Sequence, residues 1–74
     1  MIRVNLSTRL SLLRKEAGIS QEELGKEVGL KQFTISDIER GKSLTSVEVL
    51  AALAEYFNTN TDYLLGLSDI RERR

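Results

Sequence analysis

The sequence contains no cysteine, no histidine and no proline, and Met1 is its one methionine. Without cysteine there is no disulfide to staple the chain and no thiolate to hold zinc. Without histidine, the commonest general base and the commonest metal ligand are both missing. An enzyme built from this chain would have to work with Lys, Asp, Glu or Tyr alone. It has no glycine-rich phosphate loop and no convergent pair of carboxylates, so no catalytic residue, cofactor, metal or small-molecule ligand is expected. An excess of one charge is also missing: 11 Lys and Arg balance 11 Asp and Glu. Any attraction to a polyanion must then come from a local arrangement of charge. The longest apolar run, residues 49–54, is far too short to span a bilayer. No charged-then-apolar leader opens the chain, so the expected location is cytoplasmic and no membrane partner is expected.

What is present is a chain of 74 residues with 41% apolar residues, enough for one small domain with an efficient core. No stretch alternates apolar and polar residues with β-branched enrichment, so no strand is expected. With proline absent, glycines and helix caps must punctuate. Leu6, Leu10, Leu13 and Ala17 form one helical stripe, with Gly18 directly after it. Ser20-Gln21-Glu22-Glu23 fits a capping box, starting a second helix that carries Leu24 and Val28 inward and stops at Gly29. A third helix is expected over about 32–40, with Ile35 and Ile38 inward and Gly41 after it. Ser46 caps a fourth helix carrying Leu50, Leu53, Ala54 and Phe57, and Asn60 caps a short fifth helix, Thr61 to Leu65, closed by Gly66. Residues 1–67 then make the domain, and 68–74 a polar tail expected to fray.

The segment Gln21 to Glu39 carries the strongest signal. Two helices of about eight residues are separated by a very short turn with Gly29 at the break, where a positive φ costs glycine nothing. Gly25 sits one turn earlier, where a side chain would collide with the next helix. A plain helical hairpin would explain these glycines and the apolar spacing equally well. The run Gln21-Glu-Glu-Leu-Gly-Lys-Glu-Val-Gly-Leu-Lys-Gln-Phe-Thr-Ile-Ser-Asp-Ile-Glu-Arg-Gly-Lys42, however, resembles the helix-turn-helix of the λ-repressor/Cro (XRE) family, and the similarity extends from about Leu10 to Gly66. Lys31 departs from the pattern, since the family often has Ser or Thr capping the third helix. The resemblance implies an all-α, compact five-helix bundle whose third helix enters the major groove of double-stranded DNA.

A helical wheel at about 100° per residue places Phe33, Ser36, Asp37 and Arg40 opposite Ile35 and Ile38, with Gln32 at the edge of that arc. Gln32 has the chemistry to pair with adenine N6 and N7, or it is an ordinary exposed polar residue. Phe33 suits a thymine methyl, or it folds back over the turn to shield Leu30. Asp37 suits a cytosine N4, or it repels phosphate and so disfavours wrong sites; Ser36 is adaptable. Candidate phosphate contacts are Gln21 at the start of the second helix, a role the resemblance supports, together with Lys31, Arg40, Lys42 and Ser43. The resemblance further implies that Glu39 pairs with Arg14. The expected function is a sequence-specific transcriptional regulator, a repressor, acting as a homodimer on a palindromic operator, because one short helix supplies few base contacts. The alternative is a protein-interaction module that keeps the fold and has lost DNA binding, which the neutral charge and Asp37 leave open.

Overall fold

The computed structural model describes residues 2–73, apart from the Arg3 side chain. Met1 and Arg74, the outer limits of the expected domain and tail, lie outside the described residues. Among the described residues the chain forms α1 (Ile2–Ala17), α2 (Gln21–Val28), α3 (Gln32–Glu39), α4 (Val47–Tyr56) and α5 (Thr61–Leu65), with no strand. These are the expected elements, and the all-α five-helix architecture holds for them.

The caps explain the boundaries. Ser20 is extended, its hydroxyl accepts from the Glu23 amide at 3.0 Å, and the Glu23 carboxylate accepts from the Ser20 amide at 3.0 Å. Two amides that α2 cannot satisfy itself are thus paired reciprocally. Ser46 and Asn60 cap α4 and α5 without the return bond, accepting from the amides of Val49 and Tyr63. Lys31 occupies the cap position of α3 with an extended backbone and no side-chain hydrogen bond, so α3 starts at Gln32 without a cap of this kind.

The turn between α2 and α3 rests on two glycines. Gly29 ends α2 in the left-handed region at φ 76°, which L side chains adopt only at a cost. Gly25 lies flat against the returning chain, where an added Cβ would press into the Leu30 carbonyl oxygen. The Leu30 amide donates to the Gly25 carbonyl at 2.8 Å, closing the turn.

One core joins all five helices: Leu6, Leu10 and Leu13 from α1, Leu24 from α2, Ile35 and Ile38 from α3, Leu53 and Ala54 from α4, Tyr63 and Leu64 from α5. Burying each large aliphatic side chain is worth roughly 1.5–3 kcal/mol. α3 packs against α2 and α1, while α5 packs against α1 and α4, so α1 is the spine between them. Ala17, the last residue of the α1 stripe, is exposed, because the chain leaves the helix there and nothing covers it.

Residues 68–73 form no helix, but side chains of the helical domain bond to them. Arg9 on α1 donates to the carbonyls of Tyr63 at 2.8 Å and Ser68 at 2.6 Å, and to the Asp69 carboxylate at 2.8 Å. Asn60 donates to the carbonyls of Ile70 and Glu72, Thr59 to that of Arg71, and Arg71 reaches Glu16 at 2.6 Å. The Tyr63 ring lies 4.3 Å from the Arg9 guanidinium carbon and 5.6 Å from that of Arg71. Polar composition foretold fraying; the donors that hold the segment come from distant residues.

The Ser20 amide holds the Glu23 carboxyl below its ordinary pKa. A depressed folded pKa makes this stabilisation present above the unfolded glutamate value, about 4.3, and lost as pH falls through the lower folded value. Glu23→Gln, which keeps an acceptor but cannot titrate, is therefore expected to melt below the parent at pH 7, with the gap closing towards pH 3. Ser20→Ala should cost about 1 kcal/mol at pH 7. A gap between parent and Glu23→Gln that stays constant across this pH range would show that the box carries no linkage.

Candidate nucleic-acid interface

α3 is amphipathic by position: Ile35 and Ile38 are fully buried, so the residues opposite them face out. Gln32, Phe33 and Arg40 are exposed, and Ser36 and Asp37 are half-buried on the same face. Phe33 is 64% exposed, so its ring is not folded back into the core. The Lys31 ammonium stands 5.8 Å from the ring centroid, placing a cation beside the aromatic. Asp37 accepts from Arg40 Nη2 at 2.9 Å, one turn further along the helix. Lys42 is exposed and Ser43 half-buried in the loop after α3. This brings Lys31, Gln32, Phe33, Ser36, Asp37 and Arg40 together on and around one helix face.

The inner edge of α3 is held by a second cluster. Arg14 on α1 donates through Nε to Glu39 Oε2 at 2.6 Å and through Nη2 to Oε1 at 3.0 Å, a bidentate fork. Its Nη1 donates to the Ile19 carbonyl at 2.9 Å, tying in the turn before α2. The pair is mostly out of water, with the Arg14 and Glu39 side chains 14% and 6% exposed. Hydrogen bonding to Glu39 raises the Arg14 pKa above its ordinary value. The side chain of Gln21 turns inward and donates to Glu39 Oε1 at 3.1 Å, so its amide is engaged by the same carboxylate. The main-chain carbonyl of Glu39 accepts from the hydroxyl of Ser7.

Ser7 and the inward turn of Gln21 were not anticipated from the sequence. The one available signal for Ser7 is its spacing of seven from Arg14, which places both on the flank of α1 that meets α3. Among the described residues no group of acidic side chains has the arrangement of a metal site. A cavity of about 220 Å³ lies by the α4–α5 turn, lined by Ala51, Ala54, Thr59, Asn60, Thr61 and Arg73, with no α3 residue in its wall.

A short helix, a glycine turn and a second helix that is pinned along its inner edge and open on its outer face define a helix-turn-helix domain. The chain belongs to the helix-turn-helix family of XRE-type DNA-binding transcriptional regulators, whose model matches residues 10–64. It is 29% identical over 70 residues to the transcriptional regulator ImmR of Bacillus subtilis, covering 95% of this chain and 55% of that protein's length. It is 34% identical over 64 residues to an uncharacterised helix-turn-helix transcriptional regulator of Archaeoglobus fulgidus, covering 86% of this chain and 91% of that one. Among solved structures it is similar to the P22 c2 repressor in complex with a synthetic operator, at 37% identity and a TM-score of 0.79, over 81% of this chain and 91% of the repressor chain.

Removing Arg14 alone would strand a carboxylate that is nearly out of water. Arg14→Met is therefore expected to destabilise the domain by about 3–5 kcal/mol, whereas the double variant Arg14→Met, Glu39→Met should recover most of that loss. Chemical denaturation of the four members of this cycle measures it. Additive losses in the double variant would mean that the two side chains act independently.

Proposed function

We propose that the protein is a repressor that docks α3 in the major groove of double-stranded operator DNA. The observation that carries this reading is Phe33: a large aromatic side chain 64% exposed at the centre of the outer face of α3, where the core has no use for it. An apolar ring in that place suits the C5-methyl of thymine, the apolar feature of the major groove. Gln32 beside it suits adenine, Ser36 either kind of edge, and Asp37 a cytosine amino group.

Phosphate contacts are assigned to Lys31 before the helix and to Arg40, Lys42 and Ser43 after it. Gln21 contributes from the first turn of α2, where helix amides without intrahelical partners favour an anion. The side chain of Gln21 is committed to Glu39 at 3.1 Å, so the amides of that turn carry its share of the contact. Residues 1–67 form the DNA-binding unit and 68–74 its tail. The P22 c2 repressor, similar over most of its length, was solved on a synthetic operator, which supports the same mode of docking here.

One α3 reaches few bases, so specificity calls for a homodimer on a palindromic operator with half-sites about one helical turn apart. Tyr63 and Leu64 are committed to the core, which leaves Leu67 and Ile70, 66% and 50% exposed, as the apolar surplus of the C-terminal flank for such an interface. On this reading the protein is a cytoplasmic regulator of bacterial or phage type, associated with the nucleoid through the DNA it binds.

Binding-site selection from random duplexes supplies the operator, and footprinting on it should protect two half-sites about 10 base pairs apart, centre to centre. On that operator Phe33→Ala should weaken binding by roughly 1–3 kcal/mol and leave the melting temperature nearly unchanged. Replacing the contacted thymine by uracil should reproduce part of the loss in the parent and add nothing in the variant, because both changes remove one contact. A sharp drop in melting temperature, or equal uracil effects in both proteins, would remove Phe33 from the interface.

A further inference from the structure

The outer face of α3 carries one carboxylate among its candidate contacts, and that carboxylate is not free. Asp37 Oδ1 accepts from Arg40 Nη2 at 2.9 Å, with the two side chains 39% and 58% exposed. The other carboxylate of α3, Glu39, points to the opposite side and is consumed by Arg14 and Gln21. Asp37 and Arg40 therefore form a closed, locally neutral pair on the surface that is to meet a polyanion. A half-exposed pair of this kind is weak and its partners exchange readily. Its closed state nevertheless has a cost for binding: an arginine already neutralised by a carboxylate releases no counterion from DNA.

Resting on the reading of α3 as the groove-facing helix, we propose that Asp37 and Arg40 are a partner-exchange element that couples base identity to a phosphate contact. Over a non-cognate duplex Arg40 stays mostly on Asp37, because leaving it would set an unpaired carboxylate beside the phosphates. Where Asp37 meets a cytosine, the N4 amino group donates to the carboxylate in place of the guanidinium, and Arg40 turns to a phosphate. Asp37 stands inside the helix and Arg40 at its C-terminal cap, so in the docking proposed for α3 the acid is the one to meet the bases and the arginine the one to reach the backbone. The exchange breaks the Asp37–Arg40 ion pair and forms two charge-assisted bonds, one from the base to Asp37 and one from Arg40 to a phosphate, and it does so only at the right base. Asp37 thus determines specificity twice, through the base it accepts from and through the arginine it withholds.

The test is the salt dependence of binding, measured for the parent, Asp37→Asn, Arg40→Ala and the double variant on one non-cognate duplex and on the selected operator. On the non-cognate duplex the slope of log K against log salt should steepen by about 0.9 in Asp37→Asn, the share of one released phosphate contact. It should be unchanged in Arg40→Ala and in the double variant. The parent should show a steeper slope on the operator than on the non-cognate duplex, and Asp37→Asn should erase that difference while lowering the ratio of specific to non-specific affinity roughly tenfold. An unchanged slope in Asp37→Asn overturns the proposal. So does a steepening that persists without Arg40, since Asp37 would then act by general repulsion of phosphate. A parent that shows no salt-dependent duplex binding overturns the docking of α3 itself, and the exchange with it.

Discussion

Glu39 holds its carboxylate almost out of water, and much of the domain is arranged around satisfying it. Three donors converge on its two oxygens: Nε and Nη2 of Arg14 and the amide of Gln21. Arg14 also ties down the Ile19 carbonyl, and Ser7 takes the Glu39 main-chain oxygen. α1, the turn before α2, the start of α2 and the end of α3 are thus fixed to one another by directional bonds. Apolar packing alone is not directional: Ile35 and Ile38 would tolerate some rotation of α3 about its axis. The fork between Arg14 and Glu39 removes that freedom, because a bidentate pair demands planar alignment. Its net stability is close to zero against an apolar replacement, as for buried pairs generally, and what it adds is a directional tie between α1 and the inner edge of an α3 whose outer face the apolar pattern already defines.

The outward face illustrates how a neutral chain can be organised to approach a polyanion. Several of its acidic side chains have partners in the same chain, most of them an arginine that is taken up with them. Glu23 serves the capping box, Glu39 serves Arg14, Glu16 holds Arg71, and Asp69 holds Arg9. Lys31 and Lys42 remain exposed on either side of α3. Net charge is a sum over the whole surface, whereas the potential at a groove depends on charges within about a Debye length, close to 10 Å at moderate salt.

The C-terminal segment shows the same economy on the other flank of α1. Ser7 and Arg14 face α3, while Arg9 and Glu16, on the opposite side of the helix, hold the chain after α5. One helix therefore serves two neighbours through two polar stripes flanking its leucines. The Tyr63 ring between Arg9 and Arg71 joins this clasp to the core, being 6% exposed.

Much of this architecture is local and was readable in the sequence. Capping residues, the left-handed glycines and the leucine periodicity act within a few residues of where they stand, so Ser20, Gly29, Ser46 and Asn60 marked the helix ends that the structure has. The buried set of α3 and the exposure of Phe33 likewise stem from one helix and its period. Contacts between residues far apart in the chain are a different matter. The inward turn of Gln21, the bond from Ser7 to the end of α3 and the clasp of residues 68–72 depend on where distant donors arrive after packing. Asp37 and Arg40 are an intermediate case: their spacing permits a pair, but competing partners within reach decide whether it closes. The sequence by itself determined the helices, their limits and their apolar faces, because those arise from short-range sterics and hydrogen bonding. Only the tertiary structure decided which polar side chains are spent inside the molecule and which stay exposed, because that choice depends on the three-dimensional neighbours each one meets.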